Sequence, residues 1–173
     1  MRKTVASFII CALLLTSCNS GKPAGSAGPS SWRDCLGGYC YDNVVTAMVY
    51  EQVEGEEEGM YGIQYREVTD LPSLTAQTEI PVCLYFYSSL RTDAYGFTAG
   101  IEDLAQELNG RVLIVSVDAA TETDIADAYR IEDVPMFILL DKGSRAGTLE
   151  AKNADGEYID VPEVASWLTS LLQ

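Results

Sequence analysis

Tyr129-Arg-Ile-Glu-Asp-Val-Pro-Met-Phe-Ile-Leu-Leu-Asp-Lys-Gly143 joins the end of a helix, a Val-Pro step, an unbroken apolar run and a tight turn. Just upstream, Thr121 to Arg130 places Ile125, Ala128 and Tyr129 at helical spacing. Met136 to Leu140 shows no polar alternation, so it predicts a strand covered on both faces. Asp141-Lys142-Gly143 turns the chain into a further strand, Ser144 to Ala151. After the loop Asn153-Ala-Asp-Gly156, Asp160 caps a last helix. Pro162 lies in its first turn, and Val164, Trp167, Leu168, Leu171 and Leu172 are available to pack.

The pattern repeats toward the N-terminus. Val112 to Val117 is a second apolar strand, and Pro81 opens a third, Val82 to Tyr87. Between them Tyr95, Phe97, Ile101, Leu104, Ala105 and Leu108 recur at helical spacing over residues 93–108, closed by Asn109-Gly110. Thr69-Asp-Leu-Pro72 starts a short helix. Residues 43–51 and 60–68 read as a hairpin whose turn, Glu54-Gly-Glu-Glu-Glu-Gly59, lacks calcium-loop spacing and is expected to be a solvated loop. Apolar strands alternating with amphipathic helices predict an α/β domain, a central mixed sheet with helices on both faces and an N-terminal hairpin extension.

Composition narrows the chemistry. The chain has 11 Lys and Arg against 26 Asp and Glu, a formal charge of −15, and no histidine. That charge repels nucleic acid, and the missing imidazole removes the commonest metal ligand and general base. No metal site and no cofactor are expected.

The first residues carry an address. Arg2 and Lys3 precede an apolar run, Val5 to Leu15, which ends in Leu15-Thr-Ser-Cys18. This is the order of a secretory signal, and the run is too short to cross a hydrocarbon core of roughly 30 Å. Leu-Thr-Ser-Cys resembles the bacterial lipobox, which implies cleavage after residue 17, acylation of Cys18 with chains such as palmitate, and an extracytoplasmic protein held on the cell or outer membrane. The Gly, Ser and Pro of residues 19–31 read as a flexible spacer. Expected divisions are a signal peptide (1–17), lipidated cysteine and spacer (18–34), an extension with a disulfide loop and strand (35–62), and the main domain (63–173).

Of five cysteines, Cys11 leaves with the signal and Cys18 is expected to be lipidated. Cys83 sits inside an apolar strand and reads as inert. Cys35 and Cys40 flank Leu-Gly-Gly-Tyr, a loop able to turn back on itself. A structural bridge between them is the first expectation, while two free thiols and a functional dithiol stay open. Asp34 and Asp42 oppose thiolate formation there, and Arg33 favours it.

Pro81-Val-Cys-Leu-Tyr-Phe-Tyr-Ser-Ser89 resembles the thioredoxin strand that leads into the redox motif. The segment Tyr129 to Gly143 is similar to the one around that family's cis-proline. The resemblance runs through roughly residues 63–172 and implies a thioredoxin-like fold with Val134-Pro135 cis. Where the family places its Cys-x-x-Cys, this chain reads Arg91-Thr92-Asp93-Ala94, and Tyr85 falls where many members keep a buried acid. Exchange needs an attacking thiolate and a partner thiol, so the sequence predicts a recognition lacking the cysteine pair, no catalytic residues and no enzyme of the usual kind. Asp93 is read as a helix cap. Arg91 is read as a donor to a partner carboxylate or a solvated loop residue. The expected function is a tethered domain without classical redox activity that binds or assembles with a protein or peptide, held near Val134 and Arg91. The alternative is a thiol–disulfide oxidoreductase using Cys35 and Cys40.

Overall fold

The computed structural model describes residues 31–40, 44–92 and 94–173. Cys18, the signal, nearly all of the spacer and Asp93 lie outside the described residues. A single 3-10 turn, Trp32–Cys35, leads into β1 (Leu36–Tyr39), and β2 (Thr46–Gln52) and β3 (Tyr61–Val68) make the expected hairpin. There follow α1 (Leu71–Ala76), β4 (Val82–Tyr87), α2 (Ala94–Glu107), β5 (Leu113–Asp118), α3 (Thr123–Tyr129), β6 (Met136–Asp141), β7 (Ser144–Leu149) and α4 (Val161–Leu171). The strands form one sheet in the order β1-β3-β2-β5-β4-β6-β7. β4 and β5 run parallel and the other neighbours antiparallel.

The unbroken apolar runs sit where two covered faces require them. On β4, Cys83 and Tyr85 point to a layer closed by Ile101 and Leu104 of α2, Leu108 just beyond its end and Leu168 of α4. Leu84 and Phe86 point to the opposite layer, with Leu74 of α1 and Tyr129 of α3. Successive side chains of a strand face opposite ways, so a polar residue on either face of β4 would leave an unpaired group in a dry core, a cost of about 1–3 kcal/mol. The expected mixed sheet with helices on both faces is what forms.

Local signals act as read. Asp160 and Glu163 cap α4 reciprocally, each side chain accepting from the other's backbone N–H at 2.9 Å. Asp70 accepts from Ser73 N–H at 3.0 Å to start α1. Val134-Pro135 is cis. Trp167 packs against the core as an anchor, across a β7 position where a Cβ on Gly147 would lie 2.6 Å from Leu171 Cδ1 and 3.2 Å from Trp167 Cζ2. The acidic turn of residues 54–59 is exposed throughout. β7 stops at Leu149, short of the expected Ala151, and Lys152 instead pairs with Tyr158 as an isolated antiparallel bridge.

The hairpin is built into the sheet. β2 lies between β3 and β5, with Ala47, Met48 and Val49 buried and the hydroxyls of Thr46 and Ser116 hydrogen-bonded at 2.6 Å. β1 is the outermost strand on this side, joined to β3.

Candidate functional site

The turn from β4 to α2 carries Arg91, Thr92 and Ala94. Ser88 shapes it: its carbonyl accepts from Arg91 N–H at 3.1 Å and its hydroxyl from Leu90 N–H at 3.3 Å. Asp118, fully buried at the end of β5, holds the turn from below by accepting from Ser89 N–H at 3.2 Å and Ala120 N–H at 3.0 Å. Arg91 does not reach outward. Its Nη1 donates to the carbonyl of Val134 at 2.6 Å, and its guanidinium lies 4.4 Å from the centre of the Tyr158 ring. Val134, Pro135 and Arg91 therefore come together as the sequence placed them, but they close on one another. The cavity they share with Tyr85, Tyr87 and Phe97 is about 50 Å³, room for very little beyond water. Tyr85 bonds Thr98 through its hydroxyl at 3.0 Å and stacks on Phe137 with centroids 4.9 Å apart, so this position serves packing.

The thiols lie elsewhere. Cys35, Cys40 and Cys83 are all free. The expected Cys35–Cys40 bridge is thus corrected, and the reason is the conformation of what lies between them. Leu-Gly-Gly-Tyr runs extended as β1 rather than turning back. Cys35 O accepts from Thr69 N–H at 2.9 Å and Cys40 N–H donates to Tyr65 O at 3.0 Å. Thr69 and Tyr65 are four residues apart along β3 and its end, so the two cysteines sit about 13 Å from each other. A disulfide needs Cα atoms within about 7 Å.

Their environments differ. Cys35 is 1 % exposed, and burial, helped by the carboxylates of Asp70 and Asp34, pushes its thiol up. Cys40 is half-buried. Cys83 is wholly enclosed, and burial alone pushes its thiol far above the usual range, as expected of an inert strand residue. Four strand spacings separate β1 from β4, so Cys35 and Cys40 lie about 19 Å or more from the Arg91 turn. Among the described residues no group of three His, Cys, Asp or Glu is placed to hold a metal, and no helix is long and apolar enough to cross a membrane.

Sequence reading missed three groups, two beside the turn and one farther along α2. Asp118 followed an apolar strand with nothing to mark its burial. Tyr158 lay in a loop, and its stacking partner came from a turn far upstream. Glu102, on α2, accepts a hydrogen bond from the Tyr65 hydroxyl, and burial, together with that bond, raises the tyrosine's pKa.

Residues 67–161, more than half of the chain, match the thioredoxin family model. Thioredoxin Y, chloroplastic, of Oryza sativa subsp. japonica is 25% identical over 92 residues, which cover 53% of this chain and 55% of that protein. The chain thus spans about half the length of that curated relative. Among solved structures, a thioredoxin mutant from Halobacterium salinarum NRC-1 is 19% identical, with 61% of this chain and 85% of that one covered and a TM-score of 0.49. Mitochondrial thioredoxin 3 from Saccharomyces cerevisiae, in its oxidized form, is 17% identical, with 57% and 85% covered and a TM-score of 0.48. The family match, with two free thiols on the tryptophan-led stretch Trp32 to Cys40, overturns the expectation of a redox-inactive protein confined to binding. The expectation of a family member without a cysteine pair, and with it that of a protein that is not an enzyme, is corrected by the same finding.

Proposed function

The chain belongs to the thioredoxin family, and on that premise we propose that it is a thiol–disulfide oxidoreductase working through Cys40 and Cys35. The observation that carries the reading is the pair of free thiols at the two ends of β1, one reachable from solvent and one buried. Their difference sets an order. Cys40, as thiolate, attacks a disulfide of a partner protein; a Cys40–partner disulfide forms and the other partner sulfur leaves, taking up a proton. Cys35, held protonated by burial and by its acidic neighbours, acts second. It loses its proton and attacks the Cys40 sulfur, and the second partner thiol is released. One partner disulfide is reduced, one protein disulfide is formed, and an external dithiol restores the start.

The leader sequence supports a location for this chemistry. With cleavage before Cys18 and acylation of that residue, the protein works on the outer side of a bacterial membrane, a compartment where disulfides persist. The formal charge of −15 argues against nucleic-acid partners. The test is insulin reduction driven by a dithiol. Cys40→Ala is expected to abolish turnover, and Cys35→Ala to arrest the protein as a mixed disulfide on Cys40. Unchanged turnover in both variants would refute the assignment.

A further inference from the structure

We infer that β1 is a redox-controlled latch: forming the Cys35–Cys40 disulfide requires β1 to leave β3, so oxidation opens this edge of the sheet. The inference rests on the oxidoreductase reading of the same two cysteines and concerns what that chemistry does to the fold. With β1 in place the cysteines are anchored opposite Thr69 and Tyr65. The strand between them is extended, and its ends are too far apart to be joined by two sulfurs. A bond between the thiols and the β1–β3 pairing therefore exclude each other.

The latch is built to release at this place. β1 is only Leu36–Tyr39, the outermost strand, and its register against β3 shifts between Leu36 and Tyr39. Gly37 and Gly38 form its middle and can supply the tight reversal that a disulfide across Leu-Gly-Gly-Tyr demands. Glycine also suits the closed state. A Cβ on Gly37 would lie 3.1 Å from both Glu67 Oε2 and Thr69 Cγ2, so the strand docks close because position 37 has no side chain. Closure is held by Thr69, whose N–H and hydroxyl both donate to Cys35 O at 2.9 Å, and by Arg66, stacked 4.5 Å from the Tyr39 ring centre. Oxidation withdraws Cys35 from its buried seat beneath α1 and leaves the outer backbone groups of β3 without their partner strand.

The oxidant is a disulfide, and the probe is oxidised glutathione on the full chain. Cys40 takes one glutathione and releases the other as a thiol; Cys35 then displaces the first, giving the protein disulfide and two reduced glutathione molecules. No Lys or Arg lies between Arg33 and Arg66, so trypsin leaves both cysteines on one peptide, residues 34–66. Its mass reports the bond as a loss of two hydrogens. Amide exchange followed by NMR reports the latch. Oxidation is expected to speed exchange at Thr69 and Cys40 at least tenfold, while Val68, which donates to Val45 O at 2.9 Å on the other side, stays protected. The Cys35→Ser/Cys40→Ser double variant under the same oxidant keeps all three protected. A disulfide that forms with Thr69 and Cys40 still protected overturns the latch and leaves the redox reading standing. If no bond forms within the peptide, or Cys40 stops as a stable glutathione adduct, both are overturned.

Discussion

The hydroxyls of Thr46 and Ser116 tie the hairpin on which β1 docks to β5 and the rest of the sheet, and a double-mutant cycle across them is expected to be strongly non-additive. Both residues are buried, at 5% and 3% exposure, and their oxygens are 2.6 Å apart. In Thr46→Val, a change of nearly equal shape, Ser116 keeps a bond to the Thr46 main-chain oxygen at 3.3 Å. The expected loss is therefore at the low end for a buried hydrogen bond, about 1 kcal/mol. Ser116→Ala is worse, because the Thr46 hydroxyl is left buried without that partner, at about 2 kcal/mol. Replacing both removes the stranded group along with the bond, so the double variant is expected within about 1 kcal/mol of the parent, a coupling of about 2 kcal/mol. Urea denaturation followed by the fluorescence of Trp32 and Trp167 reads this as a midpoint shift. With a slope of about 2 kcal/mol per molar urea, Ser116→Ala lowers the midpoint by about 1 M and the double variant recovers at least half of it. A double variant as unstable as the two single losses combined would refute the reasoning, since the pair would then be two independent contacts.

Asp160→Ala removes half of the reciprocal cap on α4 and is expected to cost about 1 kcal/mol in the same assay, with little change in slope. Arg91→Met gives up the Val134 carbonyl bond and the Tyr158 stack on a partly exposed surface. A loss of about 1 kcal/mol is expected, with faster amide exchange in the β4–α2 turn. Native alkylation by iodoacetamide should label Cys40 first, Cys35 more slowly and Cys83 only on unfolding; labelling of Cys83 before Cys35 would contradict the burial order. Stability should fall at both ends of the pH scale. The Cys35 thiol is raised by burial and by Asp70 and Asp34, so its contribution is complete below the unfolded thiol's pKa of about 8.5 and declines as pH rises past it. Asp70 is lowered by its bonds to Ser73, so its contribution is present above an unfolded pKa of about 3.9 and is lost as pH falls below it. Midpoints measured across pH with Cys35→Ala and Asp70→Asn should flatten the alkaline and acid limbs respectively.

The sheet was legible because its central strands are covered on both sides. Val82 to Tyr87, Val112 to Val117 and Met136 to Leu140 contain no polar alternation to misread, and the caps at Asp70 and Asp160 act within a few residues of themselves. Cys35 and Cys40 were harder. Leu-Gly-Gly-Tyr has the flexibility for a closed loop and is short enough for one, and spacing alone favoured a bridge. What holds it extended is the neighbouring strand, through Thr69 and Tyr65, and that pairing is non-local. The contact of Arg91 with Val134 has the same origin: 43 residues apart in sequence, they meet only once β4 and β6 are paired. The redox-inactive expectation rested on the residues of the Arg91 turn and kept the Cys35/Cys40 dithiol only as the alternative.

β1 has a mechanical meaning as well. The chain enters the sheet through Ser31, whose hydroxyl and Trp32 N–H both lean on Glu79 ahead of β4, and then passes directly into the shortest outermost strand. A load applied to the N-terminus is met first by those few surface bonds and then by β1, which can yield a bond at a time while β2, β5 and β4 remain paired behind it. A protein pulled from that end would give way at its cysteines before its core, so tension and oxidation act on the same strand in the same direction.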